Sequence, residues 1–310
     1  MPKVSMVMMT YNRENMVERA IKSYLSQTID DFELILVDNG STDRSGIICD
    51  EFGKLDSRVK VVHKGRGNIG SGRNAGIDVA TGEYIAFVDD DDYALPKMFE
   101  VLYNNAIAND ADISLCGSNK EVNGEVLPNF TFEGTEVLNT EEAVVELLKR
   151  QKYNTAPPSK MFRRTIFDKF RFLNEGNYDD ITIMYKLFAY AKKVVITGQP
   201  LYVFYKHESN NSGFTLSNKW TDEILNEYIK AYEERTEYLR EKLPDIYDYV
   251  LYTKWSYFIS MCNKVKTYNL PNCENSYEYM YKCLKENYNE FFNSEYITEK
   301  EKELLQDHVK

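Results

Sequence analysis

Four consecutive aspartates, Asp89 to Asp92, follow the apolar run Tyr84-Ile85-Ala86-Phe87-Val88. Neighbouring carboxylates repel one another unless water or a cation screens them. Mg²⁺ is usually held by one or two carboxylates with substrate phosphates completing its shell, and Mn²⁺ suits the same oxygens plus an imidazole. The position of the run, directly after a strand pattern, favours a metal over a solvated turn. A second acidic pair, Asp179-Asp180, opens a helical pattern. A carboxylate there can cap the helix that follows. Arg73 follows a glycine-rich turn. That turn, Gly65-Arg66-Gly67-Asn68-Ile69-Gly70, spells G-x-G-x-x-G after a strand, with Asp89 about twenty residues on. Taken alone it suggests a dinucleotide-dependent oxidoreductase. Two β-α units precede it, however, whereas that fingerprint normally occupies the first β-α turn. Four aspartates are also more charge than one ribose contact requires.

The elements that must position these groups alternate in type. Strand patterns cover Val4 to Met9, Phe32 to Asp38, Val59 to His63, Tyr84 to Asp89 and Asp112 to Cys116. Helical patterns fill the intervals: Glu14 to Gln27 places Met16, Val17, Ala20, Ile21, Tyr24 and Leu25 on one face, and Leu95 to Ala108 carries Pro96 in its first turn. Repeated β-α-β units predict a mostly parallel sheet with helices on both faces. Asn123-Gly124 signals a hairpin, so antiparallel strands join at an edge. A helix over Tyr178 to Ala191 precedes strands at Val194 to Thr197 and Tyr202 to His207. In such a sheet, ligands bind beyond the carboxyl ends of the strands. Those ends are Thr10-Tyr11-Asn12-Arg13, Asp38-Asn39-Gly40-Ser41, the loop Lys64 to Arg73, and Asp89 to Asp92.

Beyond Gly213 the pattern is helical throughout, over Lys219 to Glu241, Asp245 to Val265 and Ser276 to Phe292. The expected division is therefore an α/β domain over 1–215 and a helical region over 216–310. From Trp220 onward, 12 basic residues face 18 acidic ones, and 13 of the 24 tyrosines lie there. Tyrosine suits a membrane interface, but this stretch lacks the polybasic cluster that anionic lipid attracts. An acceptor-related role, peripheral membrane attachment and self-association all remain open for it. The whole chain of 310 residues has a net charge of −11, which argues against nucleic acid as partner. Its five cysteines form no Cys-x-x-Cys pair, which suits a reducing compartment rather than a zinc site or disulfide framework. The apolar runs fall far short of the roughly 20 residues of a membrane span, and the N-terminus lacks a signal-peptide layout. The expected location is cytoplasmic.

Four stretches, taken together and in order, resemble glycosyltransferase family 2, the nucleotide-sugar-dependent transferases of GT-A fold. They are Met9-Thr10-Tyr11-Asn12, Leu36 to Asp43, Asn68 to Gly76, and Phe87 to Asp92, with Tyr178-Asp179-Asp180 where the family commonly has Glu-Asp. The resemblance covers roughly residues 4 to 210. It implies an inverting, Mn²⁺- or Mg²⁺-dependent transfer from a UDP-sugar to a hydroxyl of a glycan or lipid-linked glycan acceptor. Capsule, teichoic acid and glycoprotein chains are the acceptor classes it suggests. By the same resemblance Thr10, Tyr11, Asn12 and Asp38 hold the uracil, and Asn68, Gly70 and Arg73 belong to the donor site, Arg73 at the diphosphate. Asp89 binds ribose and Asp91 holds the metal, joined by His207, while donor choice depends on the pocket around the hexose, formed by Asp90, Asp91 and the segment Tyr153 to Ser159. Asp180 is the general base.

The sequence departs from the family at Asn39 and Asp90, where Asp and Ser are usual, so assignments among Asp89 to Asp92 could shift by one. The Gln-x-x-Arg-Trp motif of processive synthases is absent, which points to addition of one sugar. His63 and His308 read as structural. Two other functions stay open on sequence alone: an oxidoreductase using Gly65, Gly67 and Gly70 for NAD, and a nucleotide-sugar-binding subunit without turnover.

Overall fold

The computed structural model describes residues 1–207 and 220–309. The chain forms two compact units, Met1–His207 and Glu208–Lys310. The domain boundary expected at 215 lies outside the described residues, as do Gly213 and the start of the helix expected from Lys219.

The first unit is built from β1 (Val4–Thr10), α1 (Val17–Leu25), β2 (Phe32–Asp38), α2 (Ser45–Leu55), β3 (Val59–His63), α3 (Ile69–Val79), β4 (Tyr84–Asp89), β5 (Tyr93–Ala94), α4 (Met98–Asn109), β6 (Ile113–Val122), β7 (Glu125–Phe130), β8 (Thr135–Leu138), α5 (Thr140–Lys149), β9 (Lys160–Arg163), α6 (Asp180–Tyr190) and β10 (Val194–Lys206). The sheet runs β3-β2-β1-β4-β9-β6-β10-β5, with β7 on β6 and β8 on β10. β1 is parallel to β2 and β4, β2 to β3, and β6 to β10. β9 enters antiparallel between β4 and β6, so six of the ten strands share one direction.

Period-two alternation sets the layers. Val4, Met6 and Met8 of β1 join Val17, Ala20, Ile21 and Tyr24 of α1 and Phe99, Leu102 and Ala106 of α4 in one core. Val7 and Met9 point the other way, where α3 comes so close that a Cβ on Gly76 would overlap Val7 and one on Gly72 would overlap Met9. Helices therefore cover both faces, as expected. Every residue of β2 is buried, at about 1.5–3 kcal/mol for each large apolar side chain. The hairpin signal is met at Asn123 (φ 52°) and Gly124 (φ 82°), which join β6 to β7.

Several boundaries differ from the sequence reading. α1 is shorter than the expected 14–27 and leaves Met16 and Leu25 half-buried at its edges. The two strands expected after α6 are one continuous β10, with irregular register between Thr197 and Tyr202. β5, β8, β9 and α5 were not anticipated.

The second unit is helical: α7 (Asp222–Lys242), α8 (Tyr247–Thr267), α9 (Glu274–Glu286), α10 (Tyr288–Phe292) and α11 (Glu299–His308). It has its own core, including Leu225, Trp255, Phe258, Ile259, Met280, Leu284, Phe291 and Leu305. Among the described residues, no helix is long and apolar enough to cross a membrane.

Candidate active site

Strand register brings the chemistry to one rim. Thr10 pairs with Asp38, Met9 with Asp89, and Asp38 with His63, so β1, β2, β3 and β4 end at the same level. The strand order reverses at β1, with β2 on one side and β4 on the other. Such a switch point opens the crevice in which α/β sheets bind ligands.

On the β2 side, Asp38 accepts a hydrogen bond from the Ser41 amide at 2.9 Å and lies 3.0 Å from Nδ1 of His63. Burial would raise its pKa, but these partners outweigh it and hold the carboxyl below its ordinary range. His63 also meets Asp50 at 2.9 Å, and the two carboxylates, Asp50 first, raise its pKa. The sequence reading gave His63 no part beyond the strand; the register opposite Asp38 is the signal that identifies it. Asn39 donates to the Gly67 carbonyl at 2.8 Å and accepts from Lys64 at 2.9 Å, which ties the uracil-loop candidate to the glycine turn. A Cβ at Gly40 (φ 81°) would meet the Arg66 amide nitrogen at 2.7 Å, so only glycine fits there. Asn12, itself left-handed at φ 53°, accepts from the Thr42 amide at 2.8 Å. The Arg66 guanidinium lies 3.4 Å from the centre of the Tyr11 ring.

On the β4 side, Asp89, Asp91 and Asp92 each place a carboxylate oxygen within 4.8 Å of the others. Asp92 is buried and accepts from the Tyr202 hydroxyl at 2.9 Å and the Tyr205 amide at 2.8 Å. Asp91 lies 2.9 Å from Nε2 of His207. Asp90 turns toward Arg13, at 3.7 Å, and is only 8% exposed. Burial first, then the Asp91 charge, pushes Asp90 up to about 7. Burial and neighbouring carboxylates also raise Asp89 and Asp92, while Arg73 pulls Asp89 back. An all-oxygen cluster destabilised by its own repulsion, with one imidazole beside it, is a donor set that fits a hard divalent cation. The sequence reading named Asp92 only as part of the aspartate run and Arg13 only as part of the β1 end, with no role of its own for either.

Arg73 is buried and donates to Asp179 at 2.7 Å, with Asp89 at 3.7 Å. Burial works against its charge, but Asp179 and Asp89 more than offset this and raise its pKa. Asp179, at 5% exposure, is thus committed to Arg73, and burial still raises it. Asp180 is half-buried and accepts from the Thr155 hydroxyl at 2.9 Å. The two adjacent aspartates therefore stand in different environments. Asn68 caps α3 by accepting from the Ser71 amide at 2.9 Å, and its amide donates to the Leu173 and Gly176 carbonyls, both at 3.1 Å. A Cβ on Gly70 would overlap the Leu173 carbonyl. Asn68 and Gly70 thus meet the 172–176 loop of the chain itself.

The sequence profile of Glycosyl transferase family 2 matches residues 5–171. The chain belongs to this family. Glycosyltransferase GlyG of Streptococcus pneumoniae is 32% identical over 238 residues, 73% of this chain and 78% of that protein. EpsJ of Bacillus subtilis, described as a glycosyltransferase, is 34% identical over 220 residues, 68% of this chain and 62% of its own length. Among solved structures, S. aureus TarS 1–349 in complex with UDP-GlcNAc superposes with a TM-score of 0.74 at 18% identity, over 97% of this chain and 83% of that one. At that identity the match establishes the GT-A fold.

As a family 2 glycosyltransferase, the chain uses its G-x-G-x-x-G stretch differently from a dinucleotide fold. Gly70 is required by the Leu173 backbone carbonyl of the 172–176 loop, a Cβ on Gly67 would meet first the movable side-chain ends of Ser71 and Lys64, and a Cβ on Gly65 would meet nothing within 4 Å. The oxidoreductase alternative loses its footing here.

Proposed function

We propose that this glycosyltransferase moves a sugar from a UDP-sugar to a hydroxyl of a cell-surface glycan, inverting the anomeric centre in one displacement. The observation that carries the reading is the unequal pair at the start of α6. Asp179 is locked to Arg73, whereas Asp180 stays half-exposed on the same rim as the aspartate cluster. Tyr11, Asn12 and Asp38 cradle the uracil, the Asp38 carboxylate suiting the imide N–H, while Thr10, fully buried at the end of β1, supports them by accepting from the Asn39 amide at 2.9 Å. Arg73 faces the diphosphate, Asp89 the ribose, and Asp90 the hexose end. Asp180 accepts the proton of the acceptor hydroxyl while that oxygen forms its bond to the anomeric carbon. The carbon–oxygen bond to the diphosphate breaks with its electron pair leaving on UDP, beside the Arg73 cation.

Asp89, Asp91 and Asp92, with His207, would hold a Mn²⁺ or Mg²⁺ ion that neutralises the departing diphosphate. Inversion needs one base opposite the leaving group, whereas a retaining double displacement needs a nucleophilic carboxylate as well. The UDP-GlcNAc seen in TarS supports the choice of UDP as carrier. The enzyme is expected to act in the cytoplasm, with residues 1–215 forming the catalytic domain and 216–310 the helical one.

Titration of UDP into the full chain tests this, with Mn²⁺, with EDTA, and with NAD as control. Metal-dependent UDP binding without NAD binding is expected. In Asp180→Asn, turnover should vanish while UDP still binds; retained turnover would remove Asp180 as base.

A further inference from the structure

Lys160 is the first residue of β9, and it is 1% exposed. A lysine is almost never fully buried without a paired charge. Its ammonium donates to the Ala156 carbonyl at 2.7 Å and to the Pro158 carbonyl at 3.4 Å. Both belong to the segment Thr155-Ala156-Pro157-Pro158-Ser159, which leads into β9. That segment is stiff and held in an unusual shape: it contains two buried prolines, and Ser159 adopts a left-handed φ of 67°. A non-glycine residue in that region persists only where its surroundings enforce it. The Ser159 carbonyl is also fixed, accepting from the Cys116 amide on β6 at 3.0 Å. At the other end of the segment, the Thr155 hydroxyl donates to Asp180 at 2.9 Å. Burial lowers the Lys160 pKa to about 7, and the Asp180 charge is among the groups that support its protonated form.

We propose that Lys160 is a positioning residue whose ammonium staples the 155–159 segment, so that Thr155 holds the Asp180 carboxylate in line with the acceptor hydroxyl. The role rests on the assignment of Asp180 as base. Lys160 reaches Asp180 through Thr155 and touches no substrate.

The test is a double-mutant cycle on the full chain, with Lys160→Met and Thr155→Val, reading kcat and, separately, UDP affinity. Each single variant should lose between about tenfold and about a hundredfold in kcat, the range a small misplacement of a reacting group produces. UDP affinity should stay unchanged, since the residues proposed to hold the uracil, ribose and diphosphate lie outside the 155–159 segment. The double variant should be no slower than the worse single one, and Thr155→Ser should restore activity. Additive losses, or a Thr155→Val enzyme of full activity, would overturn the role of Lys160. Thr155→Val keeps the test meaningful if Lys160→Met does not fold, because Thr155 is only half-buried. The underlying reading fails separately: Asp180→Asn that still turns over removes the base, whereas an inactive Asp180→Asn beside an unaffected Thr155→Val removes only the staple.

Discussion

Asp179 and Asp180 are adjacent and chemically identical, yet the fold gives them separate work. Removing one partner of a buried ion pair leaves the other uncompensated, at a cost of about 3–5 kcal/mol. Asp179→Asn should therefore lower unfolding stability by about 3 kcal/mol, the lower end, because Arg73 keeps Asp89 at 3.7 Å. Asp180→Asn sits on a half-buried side chain and should cost about 1 kcal/mol or less while removing turnover. Urea unfolding of the two variants reads the difference, and equal destabilisation would mean the ion pair contributes nothing special. The sequence made both residues visible as a pair after Tyr178, and resemblance singled out Asp180. It did not reveal that Arg73, over a hundred residues earlier, claims Asp179, because that pairing depends on where α3 and α6 come to lie. His63 was legible in principle, since it ends its strand as Asp38 does. Lys160 was not, because a lysine in a short strand gives no sign that it will be buried.

At the scale of the elements, the strands that carry the site are pinned at their opposite ends by a single buried carboxylate. Glu33 on β2 accepts from Ser5 of β1 at 2.6 Å and from the Thr81 amide and hydroxyl at 2.7 and 3.0 Å, and it pairs with Lys60 of β3 at 2.5 Å. Burial would raise its pKa, but the Lys60, Ser5 and Thr81 contacts reverse that and lower it. The folded value thus lies below the unfolded one, near 4.3. The stabilisation is fully present above that unfolded value and is lost as pH falls through the folded one. Glu33→Gln should lower stability at neutral pH and flatten the acid limb of a plot of unfolding free energy against pH. A variant whose acid limb matches the wild type would rule the cluster out as its source. The long parallel strands were readable because they are apolar and followed by polar turns. β9 was missed because Lys160-Met161-Phe162-Arg163 is too short to show a period. α5 and α11 carried usable signals, the capping boxes Asn139–Glu142 and Thr298–Glu301, that apolar periodicity alone passes over.

At the scale of the whole molecule, each compact unit has, among the described residues, hydrophobic core packing of its own. Every group proposed to bind the donor belongs to Met1–His207. A ligand stabilises the folded form it binds by RT ln(1 + [L]/Kd), about 2.7 kcal/mol at a hundredfold excess over Kd. Scanning calorimetry of the full chain, with and without saturating UDP and Mn²⁺, should therefore move the transition belonging to the α/β core upward. A second probe assigns the transitions. Phe258 is completely buried in the helical core, and Phe258→Ala should destabilise that unit by about 3–5 kcal/mol. If the units melt separately, the Phe258→Ala transition falls while the UDP-sensitive one keeps both its position and its response to ligand. If they melt as one, UDP raises and Phe258→Ala lowers the same single transition. The first outcome confines donor binding to the unit that carries the strand-end motifs, and the second makes the helical unit part of the stability on which the donor site depends.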